Sequence, residues 1–152
     1  MKSRNDRLEE PAALYLAGGL SALTGRGGAG VEEAVGLLRK GLPMTLFEGL
    51  RERLGVTAAR LAKPMHLAPR TLARRKQEGR LQSAESDRLF RIARLFDLAE
   101  TLMAGDRDKA RRWFTTPKRA LGGSSPLDYL DTEPGAREVE DLVGRLEHGV
   151  FS

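Results

Sequence analysis

Residues 67–80 read LAPRTLARRKQEGR, a short basic segment with proline near its start and glycine near its end. Arg70, Arg74, Arg75, Lys76 and Arg80 are five cations against one acid, Glu78. Pro69 suits the first turn of a helix, because its fixed φ is helical and its missing N–H would have had no partner there. Gly79 suits the end of one. Between them Thr71, Arg74 and Arg75 are expected near one face, with Leu72 and Ala73 towards another. A helix that lies in a DNA groove with its back on a small core has this pattern. The candidate DNA-binding residues are Arg70, Thr71, Arg74, Arg75 and Lys76.

The residues just upstream supply the other half of a helix-turn-helix. Thr57 can cap a helix over 58–65 that turns Leu61 and Ala62 inward. The motif needs a small residue where its helices cross, usually glycine four residues later, and an apolar residue ten later. Ala62 and Leu72 meet the first and last requirements. His66 holds the glycine position, where a left-handed backbone is open to it at some cost. Pro64 is expected in the last turn of the first helix, crowding the carbonyl of Arg60. Ala68 stands where Ser or Thr would cap the second helix, a loss of about 1 kcal/mol.

Further upstream, 44–55 reads as a helix with Leu46, Phe47, Leu50 and Leu54 inward and Gly55 as its stop. Val31–Lys40 is a shorter amphipathic helix with Val31, Val35 and Leu38 along one stripe. Its acids, Glu32 and Glu33, lie near the start and its cations, Arg39 and Lys40, near the end, as the helix dipole favours. Gly41-Leu42-Pro43 stops it. Residues 1–30 are weakly organised: a short helix within 8–23 is interrupted by Pro11 and Gly18-Gly19. The stretch 25–30 has the glycine spacing of a dinucleotide loop, but no buried strand precedes it, so it reads as a linker.

Downstream, 83–104 is the longest helix, with Ser83 as its expected cap. Leu89, Ile92, Ala93, Phe96, Ala99 and Met103 form one stripe, and Phe90, Leu95, Leu98 and Leu102 widen it to a helix buried on two sides. Arg88, Arg91 and Arg94 are expected on a solvated or ion-paired face. Asp106 caps a short helix that turns Ala110, Trp113 and Phe114 inward. Ser125-Pro126 begins a further turn with Leu127 and Leu130 inward. Thr132 caps the last helix, with Ala136, Val139, Leu142, Val143 and Leu146 as its stripe. Gly149 ends it and leaves Val150-Phe151-Ser152, an apolar tail that either folds back on its own core or enters a partner.

The 24 Leu against 7 Val plus Ile favour helix over strand throughout, and the fold class is all-α. Residues 128–152 carry seven acids and two cations, a net of −5, which leaves +10 on the preceding 127 residues. A basic body with an acidic end suggests two surfaces with different partners. The absence of cysteine removes disulfides and thiolate chemistry. His66 and His148 are too far apart in sequence for ligand spacing, so no metal site is expected. No HExxH, GxSxG or Walker loop appears, and neither an enzymatic role nor a cofactor is expected. No apolar run approaches the ~20 residues of a membrane span. Glu9 and Glu10 sit before the first apolar patch, against a signal peptide. A cytoplasmic protein without membrane contact is the expectation.

Several segments in order resemble the Xre/MbcA/ParS antitoxin family, the partners of RES-domain toxins. They are GLP (41–43), PRTLARR (69–75), ESDRLFRIARL (85–95), the A-x-x-W at 110–113, ALGGSSPLDYLDTEPGA (120–136) and VEDLVGRLEHGVFS (139–152). The resemblance runs from about residue 42 to 152. It implies a Cro-like helix-turn-helix domain at 31–82 and a small helical toxin-binding domain at 83–152, after a poorly organised segment 1–30. It also implies a NAD-consuming RES-domain toxin as partner, with the antitoxin's C-terminal end in or across the NAD pocket. The toxin-binding residues would be Glu140, Arg145, Leu146, Glu147, His148, Gly149, Val150, Phe151 and Ser152. Binding to operator DNA of its own promoter, and a homodimer within a larger complex, are implied as well. The competing expectation from the residues alone is a helix-turn-helix repressor without a toxin partner.

Overall fold

The computed structural model describes residues 30–147, with only the backbone described for Glu147. The expected helix within 8–23, most of the glycine-rich stretch, and His148, Gly149, Val150, Phe151 and Ser152 lie outside the described residues. The described residues form seven α-helices and no strand: α1 (Val31–Lys40), α2 (Met44–Leu54), α3 (Ala58–Ala62), α4 (Pro69–Glu78), α5 (Ser83–Leu102), α6 (Arg107–Thr115) and α7 (Glu133–Glu147). Two 3-10 turns, Arg119–Leu121 and Asp128–Asp131, link α6 to α7.

One core runs through all of it, with α5 as the shared wall. The stripe expected on α5 is buried, and so are Phe90 and Leu95 on its other sides. A helix with apolar residues on more than one face must be covered on more than one face, and α1, α6 and α7 all pack against it. Phe96 and Phe114 meet edge to face with ring centres 5.5 Å apart, fixing α6 on α5.

The caps follow the sequence in part. Thr57, Asp106 and Thr132 accept from the N–H of Arg60, Lys109 and Gly135 at 3.1, 3.1 and 3.0 Å. Ser125 accepts from the Asp128 N–H at 3.1 Å. Ser83, however, is the first residue of α5 rather than its cap. Gln82 takes that place, and its N–H donates to the Glu85 carboxylate at 2.8 Å. A long acid three residues inside the helix can reach back where a cap hydroxyl is displaced by one position.

Pro64 also differs from expectation. α3 ends at Ala62, so Pro64 lies buried in the following turn and not inside a helix. Leu67 N–H returns to the Ala62 carbonyl at 3.0 Å and closes that turn. His66 has φ +57, the left-handed conformation its position requires.

The two ends of the helix-turn-helix region are tied together. Leu81 N–H donates to Leu42 O at 2.9 Å and Met44 N–H to Gly79 O at 3.0 Å, pairing the α1–α2 link with the exit of α4. Gly41, at φ +91, lies so close to the Leu81 carbonyl that a Cβ would overlap it. Only glycine meets both demands.

Candidate functional site

The basic helix α4 exposes Arg70, Ala73, Arg74, Lys76 and Gln77 and leaves Thr71 half-buried. At 100° per residue Arg70, Ala73, Arg74 and Gln77 form one outward strip, with Thr71 and Lys76 on its two flanks. Gln77 was not among the expected residues; it falls seven residues after Arg70, and that interval was the signal for it. Two of the cations lie at the edge of acidic neighbours, Arg74 3.9 Å from Glu78 and Lys76 4.0 Å from Glu48. Such exposed pairs are weak and leave the charges available. No side chain caps α4 at Ala68, as the sequence implied.

Arg75 does not belong to this strip. It is 4% exposed and faces inward with Leu72, whereas Ala73, expected on the inner side, is exposed. Its guanidinium forks onto Glu85 of α5, with Nε to Oε1 at 2.7 Å and Nη2 to Oε2 at 3.0 Å, and Nη1 reaches Glu78 at 3.3 Å. The Glu85 hydrogen bond pushes the guanidinium above its ordinary value, against burial, which lowers it. Burial alone would raise the Glu85 carboxyl. Hydrogen bonds from Arg75 and the Gln82 N–H, with the charges of Arg75 and Arg88, hold it below the usual carboxylate range. A forked arginine–carboxylate pair has directional geometry, so Arg75 sets how α4 is presented. Buried in this fork, Arg75 does not share the exposed surface of Arg70 and Arg74, where the sequence placed it.

The helix-turn-helix is joined directly to the C-terminal part. Nε2 of His66 donates to the Asp131 carbonyl at 2.5 Å. A carbonyl only accepts, so Nε2 carries the proton. Arg88 donates to Met65 O at 3.1 Å from α5, and Arg60 of α3 donates to Thr115 O at 2.8 Å. The left-handed turn is thus braced by a chain segment 65 residues away.

On the C-terminal side α7 buries Ala136, Val139, Leu142, Val143 and Leu146 against α5 and the turn at Asp128–Asp131. Gly135 lies so near the Tyr129 carbonyl that a Cβ would overlap it, which fixes the entry of α7. The outer face shows Glu133, Arg137, Glu138, Asp141 and Arg145. Among the expected toxin-binding residues, Arg145 is exposed, whereas Leu146 is 8% exposed and belongs to this chain's own core. The 3.6-residue period that makes Leu146 the last rung of the apolar stripe keeps it there. Glu140 is half-buried and 3.3 Å from Arg94 of α5. Arg91, also on α5, lies 3.5 Å from Glu133. The α5 cations Arg88, Arg91 and Arg94 therefore work inside the fold. Among the described residues no group of three or more His, Asp and Glu is placed to hold a metal ion. No helix there is long and apolar enough to cross a membrane.

Two family models match this chain. Residues 33–94 match the antitoxin Xre-like helix-turn-helix domain. Residues 98–149 match the antitoxin Xre/MbcA/ParS C-terminal toxin-binding domain. A relative named antitoxin Xre, from Yersinia enterocolitica serotype O:8 / biotype 1B, is 39% identical over 116 residues, which cover 76% of this chain and 78% of that one. Another antitoxin Xre, from Photorhabdus laumondii subsp. laumondii, is 36% identical over 117 residues, 76% and 79% of the two chains. A protein named Prs ADP-ribosylating antitoxin, from Sphingobium sp., is 23% identical over 129 residues, 79% and 81% of the two chains. The fold and these matches define an all-α helix-turn-helix antitoxin of a toxin–antitoxin system. The chain belongs to the Xre antitoxin family.

Proposed function

We propose that this chain neutralises a RES-domain toxin that degrades NAD, by laying the end of α7 and the tail after it across the toxin's NAD pocket. Residues 83–152 form the toxin-binding part and 31–82 the DNA-binding part, with α5 as their common wall. The match of 98–149 to a toxin-binding domain carries this reading, and its later part, from residue 128, is where the chain's charge turns acidic. A pocket that holds an anionic dinucleotide is electropositive, and the exposed acids Glu138 and Asp141 complement it, chiefly favouring encounter and orientation. Val150 and Phe151 then fill space that substrate would occupy. The name of the Sphingobium relative includes ADP-ribosylation, chemistry that draws on NAD. The role is to bind and block, not to catalyse.

We further propose that the protein, as a homodimer, represses its own operon through α4. Arg70 and Arg74 are placed to contact bases or phosphates, Gln77 extends the strip, and Thr71 and Lys76 lie at its flanks. The test of the toxin-directed reading is NAD consumption by the co-expressed neighbouring toxin, with the full chain and with a chain lacking 149–152. The full chain suppresses consumption and the shortened one releases it. Full suppression by the shortened chain, or a toxin that leaves NAD intact, overturns the reading.

A further inference from the structure

We propose that the hollow between α3 and α4 seats one phosphodiester of the DNA backbone, held between Lys63 and Lys76. This rests on the operator-binding reading of α4 above and adds to it a site outside that helix. The hollow has a volume of about 390 Å³. Leu67, Pro69 and Leu72 line it together with Ala59 of α3. Its charged lining residues are Lys63, directly after α3, and Lys76, in the last turn of α4. Both are exposed. Pro69, Leu72, Ala73 and Lys76 follow the helical spacing of one stripe along α4, and Ala59 and Lys63 face it from one turn of α3. Ala73 belongs both to this lining and to the outward strip with Arg70 and Arg74, so the hollow continues that strip towards α3.

The chemistry of the lining selects the occupant. It holds two ammonium groups and no acid. The neighbouring hollow on α2, which shares Lys76, contains Glu48 and Glu52. The cleft between α5 and α7 sets Arg91 and Arg94 against Glu133 and Glu140. Those two hold their cations beside acids, and the hollow between α3 and α4 does not. Among the described residues Lys63 has no ion pair within the chain. Lys76 reaches Glu48 only at 4.0 Å, an exposed contact that leaves its charge available. An inorganic phosphate would engage the lysines and leave the apolar floor idle. A sugar–phosphate unit uses both: deoxyribose carbons lie on Pro69 and Leu72, and phosphate oxygens take the two lysines. Lysine is a compact charge on a flexible stem with three donors, so one from each helix can converge on a single phosphate. With α4 in the major groove, the strand at the edge of the groove passes the α3 side of the strip. A contact there fixes register on the duplex and carries no base information.

The experiment uses the full antitoxin and promoter DNA. Lys63→Ala weakens binding about fivefold, and the slope of log affinity against log salt falls by about one per protomer bound. Lys63→Arg, which keeps the charge, retains most of the affinity. Ala59→Leu fills the hollow from an exposed position and weakens binding by a similar factor. All three variants keep the parent's unfolding midpoint and its suppression of the toxin's NAD consumption. Promoter duplexes are then scanned with a single methylphosphonate, a neutral linkage, moved one position at a time. The parent loses affinity at one linkage beside each recognition helix, and Lys63→Ala, already without the contact, loses none there. A parent that does not bind the promoter overturns the α4 reading and the seat with it. A parent that binds, with Lys63→Ala and Ala59→Leu binding equally well, overturns the seat alone. So does a methylphosphonate profile that Lys63→Ala leaves unchanged. Suppression lost in Lys63→Ala with promoter binding intact also overturns it, and makes the hollow a toxin contact.

Discussion

The helices that carry the two candidate surfaces, α4 and α7, are held to the molecule by different means. Inside α4 only Leu72 and Arg75 are buried, and Arg75 is locked in a fork on Glu85. Inside α7 a run of five apolar side chains, from Ala136 to Leu146, packs on the core. An apolar seam is non-directional and adds stability roughly in proportion to area. A forked ion pair adds little net stability over apolar packing, but removing one partner strands a buried charge. The difference teaches that α4 rests on one apolar side chain and one polar latch, whereas α7 rests on a continuous apolar seam.

Removing the latch is the largest way to break that contrast. Arg75→Ala is expected to lower unfolding free energy by about 3–5 kcal/mol in urea titration, since Glu85 stays buried without its partner. Below the midpoint it weakens operator binding more than neutralisation. Equal loss of both would show that the latch serves the whole core and not α4. On the other side Leu142→Ala is expected to cost about 2–4 kcal/mol through a cavity under α7, and to weaken neutralisation before operator binding. The opposite order would reverse the assignment of the two helices.

A smaller effect sharpens the nature of the latch. The folded Glu85 carboxyl lies below its ordinary value of 4.5. Its contribution is therefore complete above about pH 5 and is lost as pH falls through the lower, folded value. Glu85→Gln is expected to cost about 2 kcal/mol at pH 7. That difference shrinks as acid protonates the parent below pH 4.5. A difference between parent and variant that is constant from pH 7 to pH 3 would mean that the latch acts by shape and not by charge.

Much of the fold was legible because it rests on local rules. The α5 stripe from Leu89 to Met103 follows from the helical period, and Thr57, Asp106, Ser125 and Thr132 from capping chemistry. The left-handed His66 followed from its place in the turn. What was not legible depends on contacts between elements. Arg75 looked like one more surface cation because its partner is ten residues away on the next helix. Its spacing from Leu72, one helical turn, was the available hint. On α1 the period identified an apolar stripe, but which part of it meets α5 is decided by the approach of the two helices. Leu146 sat both at the end of a core stripe and in a stretch assigned to the toxin, and packing settled it for the core. Of the stretch that the resemblance assigns to the toxin, 148–152 lies outside the described residues.

The most direct test of two separate working surfaces is one titration series read twice. Arg70→Ala with Arg74→Ala removes two exposed cations, and stability should change by no more than about 0.5 kcal/mol. The same preparation is measured by gel shift on the promoter across salt concentrations and by suppression of the toxin's NAD consumption. The expected result is weakened operator binding with unchanged suppression. The salt slope falls by about one for each arginine on phosphate, or sequence preference relaxes where an arginine reads a base. Unchanged operator binding, or suppression lost in step with it, would contradict the separation of the two surfaces.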